Sequence, residues 1–411
     1  FTDQSTSDVT VITWNWDMGG AGTYVGGTNS NSQNPVFLYN VCGIYNVTLT
    51  VFDDNSCEDD TTITIEVYCL PSPNFSSTTV CQGDSTVFTD LSIMGSSPSS
   101  NIVSWNWDMG GAGSYVGGTN SSSQHPIFLY NACGNYNVNL EVTDANGCTH
   151  DTTITIEVYC NPIANFNAPP ICFDNLPMLF TSSSISGTGT IITWSWDMGG
   201  AGTYEISTTS SSENPQFSYN ACGVYNVTLT VTDDNGCIHD TTISVEVYCE
   251  PTASFSYIPE CVGTNTVFTD QSTSAGNVIN WSWDMGGAGT YVGGTNSSSQ
   301  NPVFLYDACG TYNVILTVLD DNSCEDDTTI TIEVYCLPSP NFSSTTVCQG
   351  DSTVFTDLSI MGSSPSSNVV SWNWDMAGAG SYVGGTNSSS QSPVFLYNAC
   401  GNYNVNLEVT D

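Results

Sequence analysis

WNWDMGGAGTYVGGTNSNSQNPVFLYNVCGIYNVTLTV, residues Trp14 to Val51, recurs with small changes from Trp105, Trp194, Trp281 and Trp372. The chain is therefore an array, and one unit has to be understood before the whole. Inside the stretch, Trp14, Trp16 and Met18 alternate with Asn15 and Asp17, and Tyr45, Val47, Leu49 and Val51 alternate with Asn46, Thr48 and Thr50. A period of two, apolar on one side and polar on the other, predicts half-buried strands.

Working outward, each unit closes on a further strand such as TTITIEVYC (Thr61 to Cys69) and a proline-bearing link: LPSP, NPIA or EPTA. Boundaries after Cys69, Cys160, Cys249 and Cys336 divide the chain into residues 1–69, 70–160, 161–249, 250–336 and 337–411. The first and last are partial, so the chain reads as a window on a longer array. Residues 3–144 match residues 270–411 with fifteen differences in 142 positions, so a triplet of units is itself repeated. Such near-identity suits a role measured in length better than catalysis.

In the second unit, strands are predicted at Asn74–Val80, Ser85–Ser92, Ile102–Met109, Ile127–Tyr130, Tyr136–Thr143 and Thr152–Tyr159, with one or two short ones in the Gly/Ser-rich passage. CQGD and ANG supply the turns. Short strands of this number, a Trp on the third and a Tyr opening the penultimate one predict an all-β chain: a tandem array of immunoglobulin-like sandwiches with almost no helix.

Composition narrows function. Lys and Arg are absent against 40 Asp and Glu, for a formal charge of -40. Such a surface does not hold nucleic acid, because phosphate neutralisation needs cationic side chains, and it is not drawn to anionic membranes. No apolar run approaches the roughly 20 residues of a membrane helix.

WDMGGAG, NPVFLY, CGIYNVTLTV, and DDNSC followed by TTITIEV together resemble the PKD repeat. That family's usual turn is Trp-Asp-Phe-Gly-Asp-Gly, followed by Asn-Pro and Gly-x-Tyr-x-Val-x-Leu-x-Val. The likeness covers every unit, with Met18, Gly19 and Gly20 standing where the family has Phe, Gly and Asp. Cysteine-bearing repeats of this kind are similar to those of large adhesins on gliding bacteria. The resemblance implies an extracellular stalk or filament, with neighbouring copies or flanking adhesive domains as partners.

Seventeen cysteines, four in each full unit, lack the paired knuckles of zinc sites, so disulfides in an oxidising compartment are expected. In a sandwich the first turn, the start of the long final hairpin and the end of that hairpin share one pole, and bridged Cα atoms lie within about 7 Å. The pairs expected inside units are Cys81 with Cys133, Cys172 with Cys222, Cys261 with Cys309 and Cys348 with Cys400. Across the links, Cys69 is expected to meet Cys148, Cys160 to meet Cys237 and Cys249 to meet Cys324. Cys42, Cys57 and Cys336 are left over, their partners expected outside the window. Bridges to neighbouring chains are a rival scheme.

Acid gathers at the final hairpin turn: Asp53, Asp54, Glu58, Asp59 and Asp60, and again Asp320, Asp321, Glu325, Asp326 and Asp327. Oxygen-rich clusters suit calcium; the plainer account is a solvated turn. No other cofactor is expected. His150 and His239 give way to Asp59 and Asp326, and His125 to Asn34, Asn214, Asn301 and Ser392, so no histidine recurs in every unit. Without Lys or Arg either, acid-base and nucleophilic catalysis lack parts, and no enzyme is expected. Tyr24, Tyr115 and Tyr291, or the Trp pairs, would serve an alternative role in binding polysaccharide. Asp-Thr-Thr at Asp60, Asp151, Asp240 and Asp327, Asp-Ser-Thr at Asp84 and Asp351, and sequons at Asn46 and Asn74 are candidate glycan sites.

Overall fold

A computed structural model describes residues 1–95, 101–362 and 369–411. The complete units fold as sandwiches of facing sheets, and the second displays the plan; in the third, one face is split into Phe166–Asn167 with Thr181–Ser182, and Met178–Leu179 with Gln216–Tyr219 and Gly202–Glu205. In the second unit one sheet runs, edge to edge, through Gly113–Tyr115, Ile127–Tyr130, Thr86–Asp90 and Phe75–Ser77. The other runs through Val80–Cys81, Thr149–Tyr159, Gly134–Asp144 and Ile102–Asp108. This is the expected immunoglobulin-like sandwich, with one refinement that matters later. The first strand breaks after Ser77 and crosses to the opposite sheet, where Val80 and Cys81 lie parallel to Val158 and Tyr159.

Alternation sets the burial. Gly134 to Thr143 pair in register with Val158 to Thr149, and Val138, Leu140 and Val142 point inward with no exposed surface. Asn137, Asn139 and Glu141 point outward from the same strand, so a slip of one residue would exchange the two faces. Between the sheets, Trp107 meets Phe75 edge-on at 5.0 Å and Phe88 at 5.5 Å between ring centroids. Trp107 donates its indole N–H to the Ser123 carbonyl at 2.9 Å, which lets a large aromatic be buried with its polar atom satisfied. Phe88 is wholly buried at the centre of this cluster. Phe88→Ala is expected to cost about 3–5 kcal/mol in urea unfolding, through lost burial and the cavity left behind.

The same core recurs in the third unit around Phe180 and Trp196 and in the fourth around Phe268 and Trp283. It is smaller in the first, with Trp16, Met18, Val47 and Leu49, and in the fifth, with Phe355, Trp374, Met376, Phe395 and Leu407. A single 3-10 turn, Phe173–Asn175, is the one helical segment among the described residues. In the edge strand at Trp105, Ser104 pairs with Thr143 and Ile102 with Asp144, so Val103 forms a bulge. The bulge turns Val103 to solvent, as the equivalent bulges turn Ile12, Ile192 and Ile279. A bulge on an exposed edge interrupts the template for strand pairing.

Candidate functional site

The chemistry of this chain is concentrated where one unit meets the next. The site starts from the hairpin turn DANGC, DDNGC or DDNSC. Asp144 is buried there, and its Oδ1 accepts the N–H groups of Asn146 and Cys148, both at 2.9 Å. Asp233 holds Asn235 and Cys237 in the same way, and Asp320 holds Asn322 and Cys324. Gly147 and Gly236 follow with φ of +82° and +83°, a region that favours glycine, and Ser56 and Ser323 take the same place at +62° and +66°. The turn thus aims its cysteine back toward the preceding unit.

There it meets the cysteine of the first turn. Cys81 of the second unit is bonded to Cys237 of the third, and Cys172 of the third to Cys324 of the fourth, each with a Cα separation of 5.6 Å. The remaining bonds are internal clamps: Cys42 with Cys69, Cys133 with Cys160, Cys222 with Cys249 and Cys309 with Cys336. These pairings correct the expected ones. Cys81 does not join Cys133, nor Cys172 Cys222, Cys261 Cys309 or Cys348 Cys400; across the links, Cys69 does not join Cys148, Cys160 Cys237 or Cys249 Cys324. Cys42 and Cys336, expected to lack partners here, have them.

The physical reason lies in the crossing of the first strand. It carries Cys81 alongside Tyr159 on the outer side of the pole, toward the next unit. Cys133 instead stands one residue before Gly134, which pairs with Val158, so the hairpin itself brings Cys133 to Cys160. Cys57, Cys148, Cys261, Cys348 and Cys400 are free thiols, each at a position that is bonded in another unit.

The linker is seated by polar contacts. Cys160 donates its N–H to Thr188 Oγ1 at 2.8 Å and accepts from the Thr188 N–H at 3.1 Å. Gly187 lies so close that a Cβ there would strike the Cys160 carbonyl. The N–H of Ala164 donates to His239 Nδ1 at 3.0 Å, and that of Ala253 to Asp326 Oδ2 at 2.8 Å. Histidine and aspartate interchange at this position because both offer an acceptor. Where Pro73 has no N–H, His150 Nδ1 faces the Pro71 carbonyl instead, at 3.0 Å.

The acidic corner is taken apart by these duties. Asp320 is the buried turn cap, with Ser274 donating to its Oδ2 at 2.9 Å. Asp321 holds the backbone and side-chain N–H groups of Asn277, which lower its pKa, and Asp326 anchors the linker. Asp327 lies on the outer face of the hairpin opposite Thr317, and Glu325 and Asp327 are exposed. In the first unit Asp53 accepts from Asn55 and Cys57, Asp59 accepts from the Asp60 N–H, and Asp54 and Asp60 are exposed. Neighbours along a strand point to opposite faces. Among the described residues these carboxylates do not converge as a calcium cage would require. Among the described residues, the one cluster of three or more His, Cys, Asp or Glu ligand atoms within 4.8 Å of one another is Cys172, Glu250 and Cys324. The residues expected to hold calcium, Asp53, Asp54, Asp59, Asp60, Asp320, Asp321, Asp326 and Asp327, are thus divided among these separate duties.

The aromatic candidates are engaged. Tyr24, Tyr115 and Tyr291 donate their hydroxyls to the carbonyls of Trp16, Trp107 and Trp283, with rings edge-on to Phe37, Phe128 and Phe304. Asn46 accepts from Thr64, and Asn74 from the Phe75 N–H.

A second recurrent constellation was invisible in the spacing. The indoles of Trp105 and Trp281 donate to Asp90 and Asp270 at 2.8 Å, and Gln124 and Gln300 donate to the same oxygens. Desolvation raises the pKa of Asp90 and Asp270, but hydrogen bonds from the adjacent Ser, the Trp and the Gln outweigh it, and the net shift is downward. A depressed folded-state pKa stabilises above the ordinary aspartate range and is lost as pH falls through the folded value. Asp270→Asn is therefore expected to lower stability at neutral pH, with the gap to the parent narrowing in acid, as measured by urea unfolding at stepped pH. The third unit has Ser182 and Glu213 in these places, and Trp194 Nε1 is buried without a partner.

No helix among the described residues is long and apolar enough to cross a membrane. A family model described as PKD domain matches residues 71–160, 159–248 and 250–335. Over 176 residues the chain is 30% identical to the pre-pro-metalloprotease PrtV of Vibrio cholerae serotype O1, a match covering 42% of this chain. The chain spans 17% of the length of that curated relative. Among solved structures, the PKD1 domain of Vibrio anguillarum Epp is 32% identical, with 22% of this chain and 95% of that one covered and a TM-score of 0.19. The extracellular domain of protocadherin GammaB4 aligns over 96% of this chain and 74% of its own, at 14% identity and a TM-score of 0.25.

Proposed function

The chain belongs to the PKD-domain family, and from that premise we propose that its work is mechanical: an extracellular, disulfide-stapled spacer that holds an adhesive or enzymatic partner domain at a distance. The observation that carries this reading is the pair of staples between units, Cys81 with Cys237 and Cys172 with Cys324. A single linker is a hinge, whereas a linker plus a covalent staple from a different turn restricts bending in the plane that contains both. The internal clamps add about 3.5 kcal/mol each in the chain-entropy account, for loops of 27 residues.

Six disulfides support an oxidising, extracellular setting. A chain without Lys or Arg offers trypsin-like proteases nothing to cut, which suits exposure outside the cell. Its partners in this reading are copies of itself in a fibre or flanking adhesive domains. Polysaccharide recognition is disfavoured, since Tyr24, Tyr115 and Tyr291 are committed to their own units. Catalysis is assigned to no residue of the array.

Electron micrographs and small-angle scattering test the proposal on the oxidised chain and after treatment with a phosphine. Straight particles that bend only after reduction are expected. Equal flexibility in both states would overturn the spacer reading.

A further inference from the structure

We propose that the junction between the third and fourth units is a latent metal site, in which Cys172, Cys324 and Glu250 bind a zinc-like cation once the staple is opened. Ligand atoms of the three lie within 4.8 Å of one another. Cys172 and Cys324 are buried, at 7% and 1% exposure, so water competes poorly there. Glu250 Oε1 accepts the Asp174 N–H, while Oε2 is buried with no partner. A buried carboxylate oxygen without a partner is costly, and this chain has no Lys or Arg to neutralise it.

The chemistry balances. A phosphine with water, itself oxidised to the phosphine oxide, delivers two electrons and two protons to the Cys172–Cys324 bond and leaves two thiols. The cation then displaces both thiol protons to solvent and gains two sulfur ligands and one carboxylate oxygen, with water in the fourth place of a tetrahedron. Zinc-sulfur bonds of about 2.3 Å place the two sulfurs roughly 3.8 Å apart, compatible with the Cα separation of 5.6 Å. The junction would then be closed by a disulfide where conditions oxidise and by metal where they do not. The cluster is spatial, which is why linear cysteine spacing gives no sign of it.

The chain contains its own control. At the preceding junction the residue matching Glu250 is Asn161, whose side-chain N–H₂ donates to the Gln82 carbonyl, so Cys81 and Cys237 have no carboxylate beside them. Leu70 and Leu337 occupy the same place in the other links. The inference stands on this cluster whether or not the array acts as a spacer.

The test is a Co²⁺ titration, with Zn²⁺ in competition, of the phosphine-reduced full chain, read by the thiolate-to-cobalt charge-transfer band; circular dichroism checks that each variant keeps its fold. Glu250→Gln, which retains an acceptor for Asp174, is expected to weaken one equivalent of binding by about tenfold or more, and Cys172→Ser to abolish that same equivalent. Asn161→Glu is expected to create one additional equivalent at Cys81 and Cys237. The other reduced thiols contribute equally to parent and variants and cancel in the comparison. A parent chain without such binding, a Glu250→Gln titration that overlays the parent, or an Asn161→Glu chain that gains nothing would each overturn the proposal.

Discussion

Pulled from its two ends, the oxidised array is expected to stop lengthening between Cys81 and Cys324 at about a quarter of the distance the reduced array reaches. The backbone between those residues counts 243 steps. The disulfides open a shorter covalent route: 52 steps from Cys81 to Cys133, the clamp to Cys160, 12 steps to Cys172, then the staple to Cys324. At roughly 3.5 Å per fully extended residue, the limit falls from about 850 Å to about 220 Å. Noncovalent packing decides the force at which the sandwiches open, whereas covalent topology decides how far the chain can then run out. Single-molecule force spectroscopy with and without reductant measures both. Full extension under oxidising conditions would mean that the staples are absent or joined differently. Cys324→Ser separates the contributions, because it removes one shortcut and leaves the internal clamps alone.

Asp320→Ala is expected to lower the stability of the fourth unit by about 2–5 kcal/mol, since buried donors left without an acceptor cost about 1–3 kcal/mol each. Asp320 has no exposed surface and receives three hydrogen bonds, from the N–H groups of Asn322 and Cys324 and from the Ser274 hydroxyl. Alanine leaves those donors unpaired and releases the turn that aims Cys324 at Cys172. Two effects should therefore appear together: a lower urea midpoint for this unit, and two additional thiols titratable under native conditions. Asp327→Ala, on the exposed outer face, is expected to change stability by less than about 0.5 kcal/mol. Calcium chelation should leave both comparisons unaltered, since Asp320 is satisfied by donors of the chain itself. A variant in which the thiol count is unchanged would show that the cap does not position the staple.

Much of this molecule was legible in the order of its residues. Alternation at Trp105, Trp107 and Met109 and along Val138, Leu140 and Val142 specifies which face of each strand is buried, because side chains on a strand point to opposite sides in turn. Turn chemistry at CQGD and ANG places the reversals, and repetition of one pattern multiplies the sandwich. The absence of Lys and Arg set the expectation of no nucleic-acid partner before any coordinates. The placement of Cys81, Cys133 and Cys160 toward one pole also followed from counting strands. The duties of Asp90, Asp326 and Glu250 did not, since each depends on a partner 15 to 76 residues away that no local pattern announces.

Periodicity is a property of neighbours, so the sequence by itself determined strands, faces, turns and the family likeness. Partnership is a property of space, and only the tertiary structure decided it. Three cysteines gather at one pole within the reach of several pairings, and bond formation is selective only at Cα separations of about 5 to 6 Å. Which thiols come that close was settled by the first strand crossing to the opposite sheet and by the next unit's hairpin turn standing over it. The acidic corner divided for the same reason: carboxylates close in sequence are sent to different places, and only the backbone N–H groups they accept reveal that Asp320 caps the turn carrying Cys324 and Asp326 anchors the linker at Ala253.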